Sequence, residues 1–314
     1  MKIKVIGIGG AGNNTISRLY KEGLKGVEFF AVNTDAQALN KCLCPNKILI
    51  GEKTTKGLGA GMDYNLGLRA SRESKDILRS IFKKSDIVFL TCGLGGGSGT
   101  PAISVLGELG KEMGVLTFAV VTTPFSFEGS ARKVIAQKGL KNLQSCVDAF
   151  LVIPNDRILK ISPKTELLDE AFRKIDNVLL EAIQGISELL SSPGIISIDF
   201  ADLEEVLKNS GRALFGQGIA KGEQRAVAAV SKALQTPLLD IQPQKAKGIL
   251  FSVSGRDVSL TEVNMVANFI KRIAGSNAKI IFGVSENKNL NKGEIKVILI
   301  AAGIEYGNAG RKRR

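Results

Sequence analysis

Asp86-Ile87-Val88-Phe89-Leu90-Thr91-Cys92-Gly93-Leu94-Gly95-Gly96-Gly97-Ser98-Gly99-Thr100 sets the reading of this chain. Its opening, Asp86 to Thr91, is the short apolar run of a strand buried in a parallel sheet. Gly93 to Thr100 then holds five glycines. Glycine at that density costs conformational entropy for no gain in packing, unless the backbone must approach something closely. Residues 102–113 have helical composition, and Pro101 suits the first helical position, where its missing N–H has no partner. Strand, glycine loop and helix in this order aim free backbone N–H groups and the positive end of a helix dipole at one point, a cradle for phosphate oxygens.

A second glycine segment opens the chain. Lys2-Ile3-Lys4-Val5-Ile6 reads as a strand, Gly7-Ile8-Gly9-Gly10-Ala11-Gly12 as a loop, and residues 13–21 as a helix. This satisfies the G-x-G-x-x-G dinucleotide pattern, and Asp35 falls about twenty residues on, where a ribose-binding acid sits. Alone it supports an NAD-dependent oxidoreductase. Two glycine loops on neighbouring strands equally suit a nucleotide gripped from both sides. Neither carries the lysine of the P-loop pattern.

Composition removes several chemistries. The chain has no histidine, which excludes Ser-His-Asp and Cys-His mechanisms. Its four cysteines (Cys42, Cys44, Cys92 and Cys146) are irregularly spaced and read as reduced, buried thiols instead of a zinc site. No apolar run reaches the ~18 residues of a membrane span, and Met1-Lys2-Ile3-Lys4 leads into a strand with no signal peptide, which predicts a cytoplasmic protein. The net charge of +13 includes Arg311-Lys312-Arg313-Arg314 at the very end. With 5% aromatic residues and no helix-turn-helix or stacking motif, it reads as a basic surface and tail, with no specific nucleic-acid partner.

Apolar strands near 3–8, 27–32, 47–50, 86–91, 115–121 and 149–153 alternate with helical stretches. That is the signature of an α/β doubly wound parallel sheet, whose ligands sit at the carboxyl ends of the strands. The glycine loops, Asn33-Thr34-Asp35, Gly57-Leu58-Gly59-Ala60-Gly61 and Pro124-Phe125-Ser126-Phe127-Glu128 all fall on that edge. Leu168, Ala171, Phe172, Ile175, Leu179, Ala182, Ile183, Ile186 and Leu190 recur at helical spacing, predicting a helix on the order of 40 Å long over 165–190. Ser191-Ser192-Pro193-Gly194 stops it. Helices at 199–209, 224–234 and 260–273 and strands at 249–253, 279–284 and 294–300 then describe a smaller mixed α/β domain. The expected division is a nucleotide-binding domain over 1–164, a central helix over 165–191, a C-terminal activation domain over 192–305 and a basic tail over 306–314. Residues 240–247 are the one linker-like stretch.

Gly95-Gly96-Gly97-Ser98-Gly99-Thr100 resembles the signature of the tubulin/FtsZ family, GGGTGTG in most members. The resemblance runs in order through almost the whole chain. It includes residues 7–14, 57–61 and 124–129, Ala31-Val32-Asn33-Thr34-Asp35-Ala36-Gln37-Ala38-Leu39, Val152-Ile153-Pro154-Asn155-Asp156-Arg157, Asp176-Asn177-Val178 and Asp199-Phe200-Ala201-Asp202. It is closer to the bacterial-type FtsZ side of the family than to tubulin. It implies a GTPase with GTP or GDP and Mg²⁺, polymerising head to tail into filaments that organise division, in the cytoplasm at the division site. Implied partners are the chain itself, other division proteins, and the membrane through an adaptor or the basic tail. The same resemblance implies phosphate contacts from Gly9, Gly10, Ala11, Gly12, Asn13 and Asn14 and from Gly93, Gly96, Gly97, Ser98, Gly99 and Thr100. Pro124, Glu128 and Arg132 would face ribose and phosphate, Asn155, Phe172 and Asp176 the guanine, and Asn33 and Ala60 the remaining edge. No residue is assigned as a metal ligand.

Asp199 and Asp202 are the implied catalytic pair, polarising water against the γ-phosphate held by the next subunit. By spacing alone the same turn is an ordinary helix cap with acids in its first turn. Against the family pattern, Ser197 stands for Asn, Ser98 for Thr, Pro101 for a glycine, and Ser130-Ala131 for a basic pair. The usual long linker and adaptor peptide are not seen after Gly303. Ser197 also leaves open a filament-forming GTP-binding protein with weak hydrolysis.

Overall fold

A computed structural model of the protein describes residues 1–163, 165–191, 194–235 and 246–304. Residues 306–314 of the basic tail, 240–245 of the linker-like stretch, and Ser192-Pro193 lie outside these. The chain folds as two compact units, Met1–Ile183 and a second beginning at Gln184.

The first unit alternates strand and helix: β1 (Ile3–Ile8), α1 (Gly9–Lys21), β2 (Val27–Asn33), α2 (Ala36–Lys41), β3 (Asn46–Leu49), α3 (Glu52–Thr55), α4 (Tyr64–Glu73), α5 (Lys75–Ile81), β4 (Ile87–Gly93), α6 (Gly99–Glu112), β5 (Leu116–Thr123), α7 (Ser130–Cys146), β6 (Ala149–Pro154) and α8 (Asp156–Ile161). The strands pair in parallel in the order β3-β2-β1-β4-β5-β6. This is the expected doubly wound sheet. The order reverses between β1 and β4, and a crevice opens there outside the strand ends. Every residue of β1 is buried, as is β4 up to Cys92, so their apolar runs reflect cover on both faces.

Both helices after the glycine segments start earlier than their composition suggests. α1 begins at Gly9 instead of residue 13, and α6 at Gly99 instead of residue 102. Several of these glycines are helical residues pressed against neighbouring backbone. A Cβ on Gly12 would lie 2.6 Å from the Thr91 carbonyl, and one on Gly99 2.9 Å from that of Ile8. Pro101 is therefore the third residue of α6, not the first. The helix tolerates it because the first four helical N–H groups have no intrahelical acceptor.

The long helix α9 (Leu168–Ser191) is continuous through the boundary at residues 183 and 184. The second unit continues with β7 (Gly194–Ile196), α10 (Phe200–Leu207), β8 (Gly211–Lys221), α11 (Arg225–Leu234), β9 (Ala246–Gly255), α12 (Leu260–Ile273), β10 (Ala274–Glu286) and β11 (Glu294–Ala302). Its strands lie in the order β8-β11-β9-β10-β7. β8 has no counterpart in the sequence expectation, because glycines interrupt its apolar alternation. They let α11 approach: a Cβ on Gly216 would sit 1.8 Å from the Ala233 carbonyl, and one on Gly218 2.1 Å from that of Ala229.

Arg225 fastens α11 to the start of α12. Its guanidinium donates to both carboxylate oxygens of Glu262, at 2.5 and 3.0 Å, and to Asp257 at 2.7 Å. The Arg225 bonds hold the Glu262 carboxyl down to about 2 from the ordinary 4.5. The stability this carboxylate contributes is thus complete above pH 4.5 and is lost as pH falls through about 2. Glu262→Gln is expected to lower the urea midpoint more at pH 6 than at pH 3. An equal penalty at both pH values would contradict this assignment.

All four cysteines are buried thiols without a disulfide. Burial pushes Cys44 up to about 11 and raises Cys92 and Cys146 as well. Among the described residues no helix is long and apolar enough to cross a membrane.

Candidate functional site

The chain leaves β1 at Gly9 with φ +71°, in the left-handed region, and a Cβ there would come 2.9 Å from the Gly99 amide nitrogen. Backbone from the two glycine segments therefore meets at the switch point. α1 and α6 start side by side, and neither N-terminus has a side-chain cap. The first-turn N–H groups of both helices, with the positive ends of both dipoles, are left for a ligand. Around them lies a cavity of about 420 Å³, lined entirely from the first unit. Where Cβ atoms would stand on Gly10 and Gly96, nothing lies within 4 Å. This is the geometry of an anion cradle.

Most of the residues assigned to nucleotide contact line this cavity. They are Gly9, Gly10, Ala11 and Asn14; Gly93, Gly96, Gly97, Ser98 and Gly99; and Pro124, Glu128, Arg132, Asn155, Phe172 and Asp176. Gly12, Asn13, Asn33, Ala60 and Thr100 stand behind its wall instead. The Asn13 amide donates to the Gly7 carbonyl at 2.9 Å and accepts from the Asn33 amide at 2.8 Å. Asn33 in turn accepts from the Thr34 N–H at 2.9 Å, so the two asparagines lock the ends of β1 and β2 together. Thr100 accepts from the Gly95 N–H at 2.9 Å, and the Ala60 carbonyl accepts from the Asp63 N–H at 3.0 Å. Thr34 reaches Ser98 at 2.6 Å, tying the end of β2 to the start of α6. These five shape the cradle from outside it.

The far end of the cavity is built on one stripe of α9: Phe172, Ile175, Asp176 and Leu179, at helical spacing. Asp176 is only 5% exposed. Its carboxylate accepts from the Thr15 hydroxyl at 2.8 Å and from Arg18 Nε. Asn155 is buried, and its side-chain oxygen has no hydrogen-bond partner, an orphan at a cavity wall that a ligand N–H would satisfy. Phe172 stands edge-on to Phe125 at 6.2 Å, and Phe125 stacks on Phe127 at 4.9 Å. On the other side, Arg132 pairs with Glu128 at 2.7 Å, and Glu128 also accepts from the Phe125 N–H at 2.8 Å.

Gly61, Ile175 and Leu179, named in the sequence only as parts of a glycine loop and an apolar helix stripe, also line the cavity, as do Thr15 and Arg18, which no motif names. A signal for two of them existed. Ala11, Thr15 and Arg18 share one face of α1, so a helix whose first turn meets a ligand carries that ligand's next contacts one and two turns on. Asp35 is elsewhere engaged: it caps α2, accepting from the Ala38 N–H at 2.9 Å, and does not line the cavity. The ribose acid of a dinucleotide site is thereby missing.

The two carboxylates expected to act on water belong to the second unit. Asp199 caps α10, accepting from the Asp202 N–H at 2.9 Å, while Asp202 accepts in return from the Asp199 N–H at 3.0 Å. This reciprocal box is what spacing alone suggests. It engages one oxygen of each carboxylate, and Asp199 is exposed. Ser197 is exposed beside them. Among the described residues no group of three or more cysteines or carboxylates could hold a metal ion.

The model of the Tubulin/FtsZ family, GTPase domain, matches residues 2–163 of this chain, and that of the FtsZ family, C-terminal domain, matches residues 211–305. A cell division protein FtsZ from Buchnera aphidicola subsp. Baizongia pistaciae is 44% identical over 304 residues, 96% of this chain and 79% of that protein. Among solved structures, an empty FtsZ dimer from M. jannaschii is similar with a TM-score of 0.83 and 43% identity, over 100% of this chain and 93% of that one. The GTPγS-bound CetZ2 protofilament from Haloferax volcanii shares the fold, with a TM-score of 0.82 at 22% identity over 98% and 94% of the two chains.

Proposed function

Because the chain belongs to the tubulin/FtsZ family of GTPases, we propose that it holds GTP in the cavity between α1, α6 and α9 and hydrolyses it where two subunits join head to tail. The observation that carries this reading is the pair of uncapped helix N-termini meeting at Gly9 and Gly99. Phosphate oxygens accept from their N–H groups, and the two dipoles supply the positive field that a P-loop lysine gives elsewhere. Arg132, ion-paired with Glu128 at the same end, offers its remaining guanidinium N–H groups to the phosphates. At the other end, guanine presents its N1–H and one hydrogen of its exocyclic amine to Asp176 and the amine's other hydrogen to the orphaned Asn155 side-chain oxygen, with Phe172 beside the ring.

Magnesium fits this site through the ligand instead of a protein cage. The acids of the cavity wall, Glu128 and Asp176, are both engaged with arginines, so a bound ion would draw its ligands chiefly from the nucleotide and water. When bound, the ion supplies charge neutralisation at the β- and γ-phosphates.

Asp199 and Asp202 of one subunit approach the γ-phosphate held by its neighbour. Each keeps lone pairs beyond the one used in the cap, and these orient a water and receive its proton. The water oxygen bonds to the γ-phosphorus, the bond to the bridging oxygen breaks, and GDP and phosphate remain. Such an interface joins unlike surfaces of identical chains and extends into a filament when its rotation does not close. An FtsZ dimer is known in M. jannaschii. We assign the filaments to the cytoplasmic division site, with division proteins and a membrane adaptor as further partners.

The test is nucleotide preference. GTP is expected to bind at least about tenfold more tightly than ATP, because adenine offers no paired N–H groups to Asp176. Equal affinities for GTP and ATP would overturn the base assignment, and retention of NAD in place of guanine nucleotide would overturn the whole reading.

A further inference from the structure

Thr15 lies in the second turn of α1, where a threonine hydroxyl ordinarily bonds back to the carbonyl four residues earlier. Ser17 does this, donating to the Asn13 carbonyl at 2.9 Å. Thr15 instead reaches across the cavity wall and donates to Asp176 Oδ1 at 2.8 Å, while Arg18 Nε donates to Oδ2. An ionised carboxylate has about four lone-pair positions, two on each oxygen. One on each oxygen is thus taken by the protein, and one on each remains. Unheld, the terminal torsion of an aspartate is broad. Thr15 is β-branched and short, so its hydroxyl has few alternative positions, and the bond to Asp176 selects one of them.

We infer that Thr15 is a specificity-determining positioning residue. Its hydroxyl fixes the rotation of the Asp176 carboxylate so that both oxygens receive the two N–H groups on one edge of guanine. This rests on the reading of Asp176 as the guanine acceptor. The chemical class it selects is a purine with N–H donors at both N1 and the exocyclic 2-position. Hypoxanthine lacks the 2-amine and leaves one oxygen unfilled.

The experiment measures affinities for GTP and inosine triphosphate in the wild type, Thr15→Val and Thr15→Ser. Valine keeps the shape and removes the donor, whereas serine keeps the donor. The wild type is expected to favour GTP by about tenfold or more, Thr15→Val to cut that ratio by about three- to tenfold, and Thr15→Ser to retain most of it. A purely structural role weakens both nucleotides in proportion and leaves the ratio alone. A Thr15→Val ratio equal to that of the wild type therefore overturns the inference while Asp176 keeps its role. A wild-type ratio near one removes the guanine reading of Asp176 itself, and the Thr15 inference with it.

Discussion

Asp202→Asn is expected to leave GTP binding and filament assembly intact while lowering kcat by about 10²- to 10⁴-fold. The substitution separates two roles that coincide in one side chain. In the α10 cap, Asp202 only accepts from the Asp199 N–H, at 3.0 Å, and an asparagine oxygen accepts there equally well. The reverse bond uses the backbone N–H of residue 202 and survives any substitution other than proline. What is lost is the negative charge and the ability to take a proton from water. A cap without chemistry predicts a variant close to wild type in turnover. The measurement is steady-state phosphate release beside a sedimentation assay. Polymer without hydrolysis supports the catalytic assignment; a kcat within about threefold of wild type, far less than general-base loss produces, would contradict it.

Asp176→Asn is expected to weaken GTP binding by about 1.5–3 kcal/mol, roughly 10- to 150-fold, and to strengthen xanthosine triphosphate binding. Asp176 is almost fully buried at the cavity wall, so its pairings are made away from water. An amide offers one acceptor and one donor. Guanine offers two donors, and the second then faces the amide N–H across a donor–donor contact. Xanthine has an N–H and a carbonyl at the same positions and complements the amide. A gain for one base with a loss for the other cannot come from misfolding, because a damaged site loses both. Loss of GTP with no gain for the xanthine nucleotide would place the base elsewhere.

The first unit is legible because its central strands are buried on both faces. Ile3–Ile8 and Ile87–Cys92 have no polar face to disguise them, and the glycines that follow are needed because a Cβ on Gly12 or Gly99 would press into the backbone of Thr91 or Ile8. The helix starts were less legible, since glycine in a helix's first turn looks like loop until its neighbours are known. β8 was hidden for the same reason: Gly216 and Gly218 accommodate α11, a demand that no local pattern announces. At the site, composition pointed to the phosphate cradle, whereas the base end came only through the family resemblance. Asp176 and Asn155 are single polar residues at unremarkable spacing, and their meaning lies in burial and in an orphaned oxygen. Asn13 and Asn33 illustrate the opposite case. Both belong to family motifs, yet their amides are spent on each other and on the backbone of β1 and β2. Thr15 and Arg18 are not legible in the sequence because side chains in the second and third turns of a helix acquire this role only once α9 lies against them.

On the proposed mechanism no single subunit holds a complete hydrolytic site. Phosphate release per subunit, measured across a dilution series with sedimentation at each concentration, tests it most directly. Specific activity is expected to rise with concentration in step with assembled protein and to fall toward zero where only monomer remains. Specific activity that stays constant down to wholly monomeric solutions would contradict it.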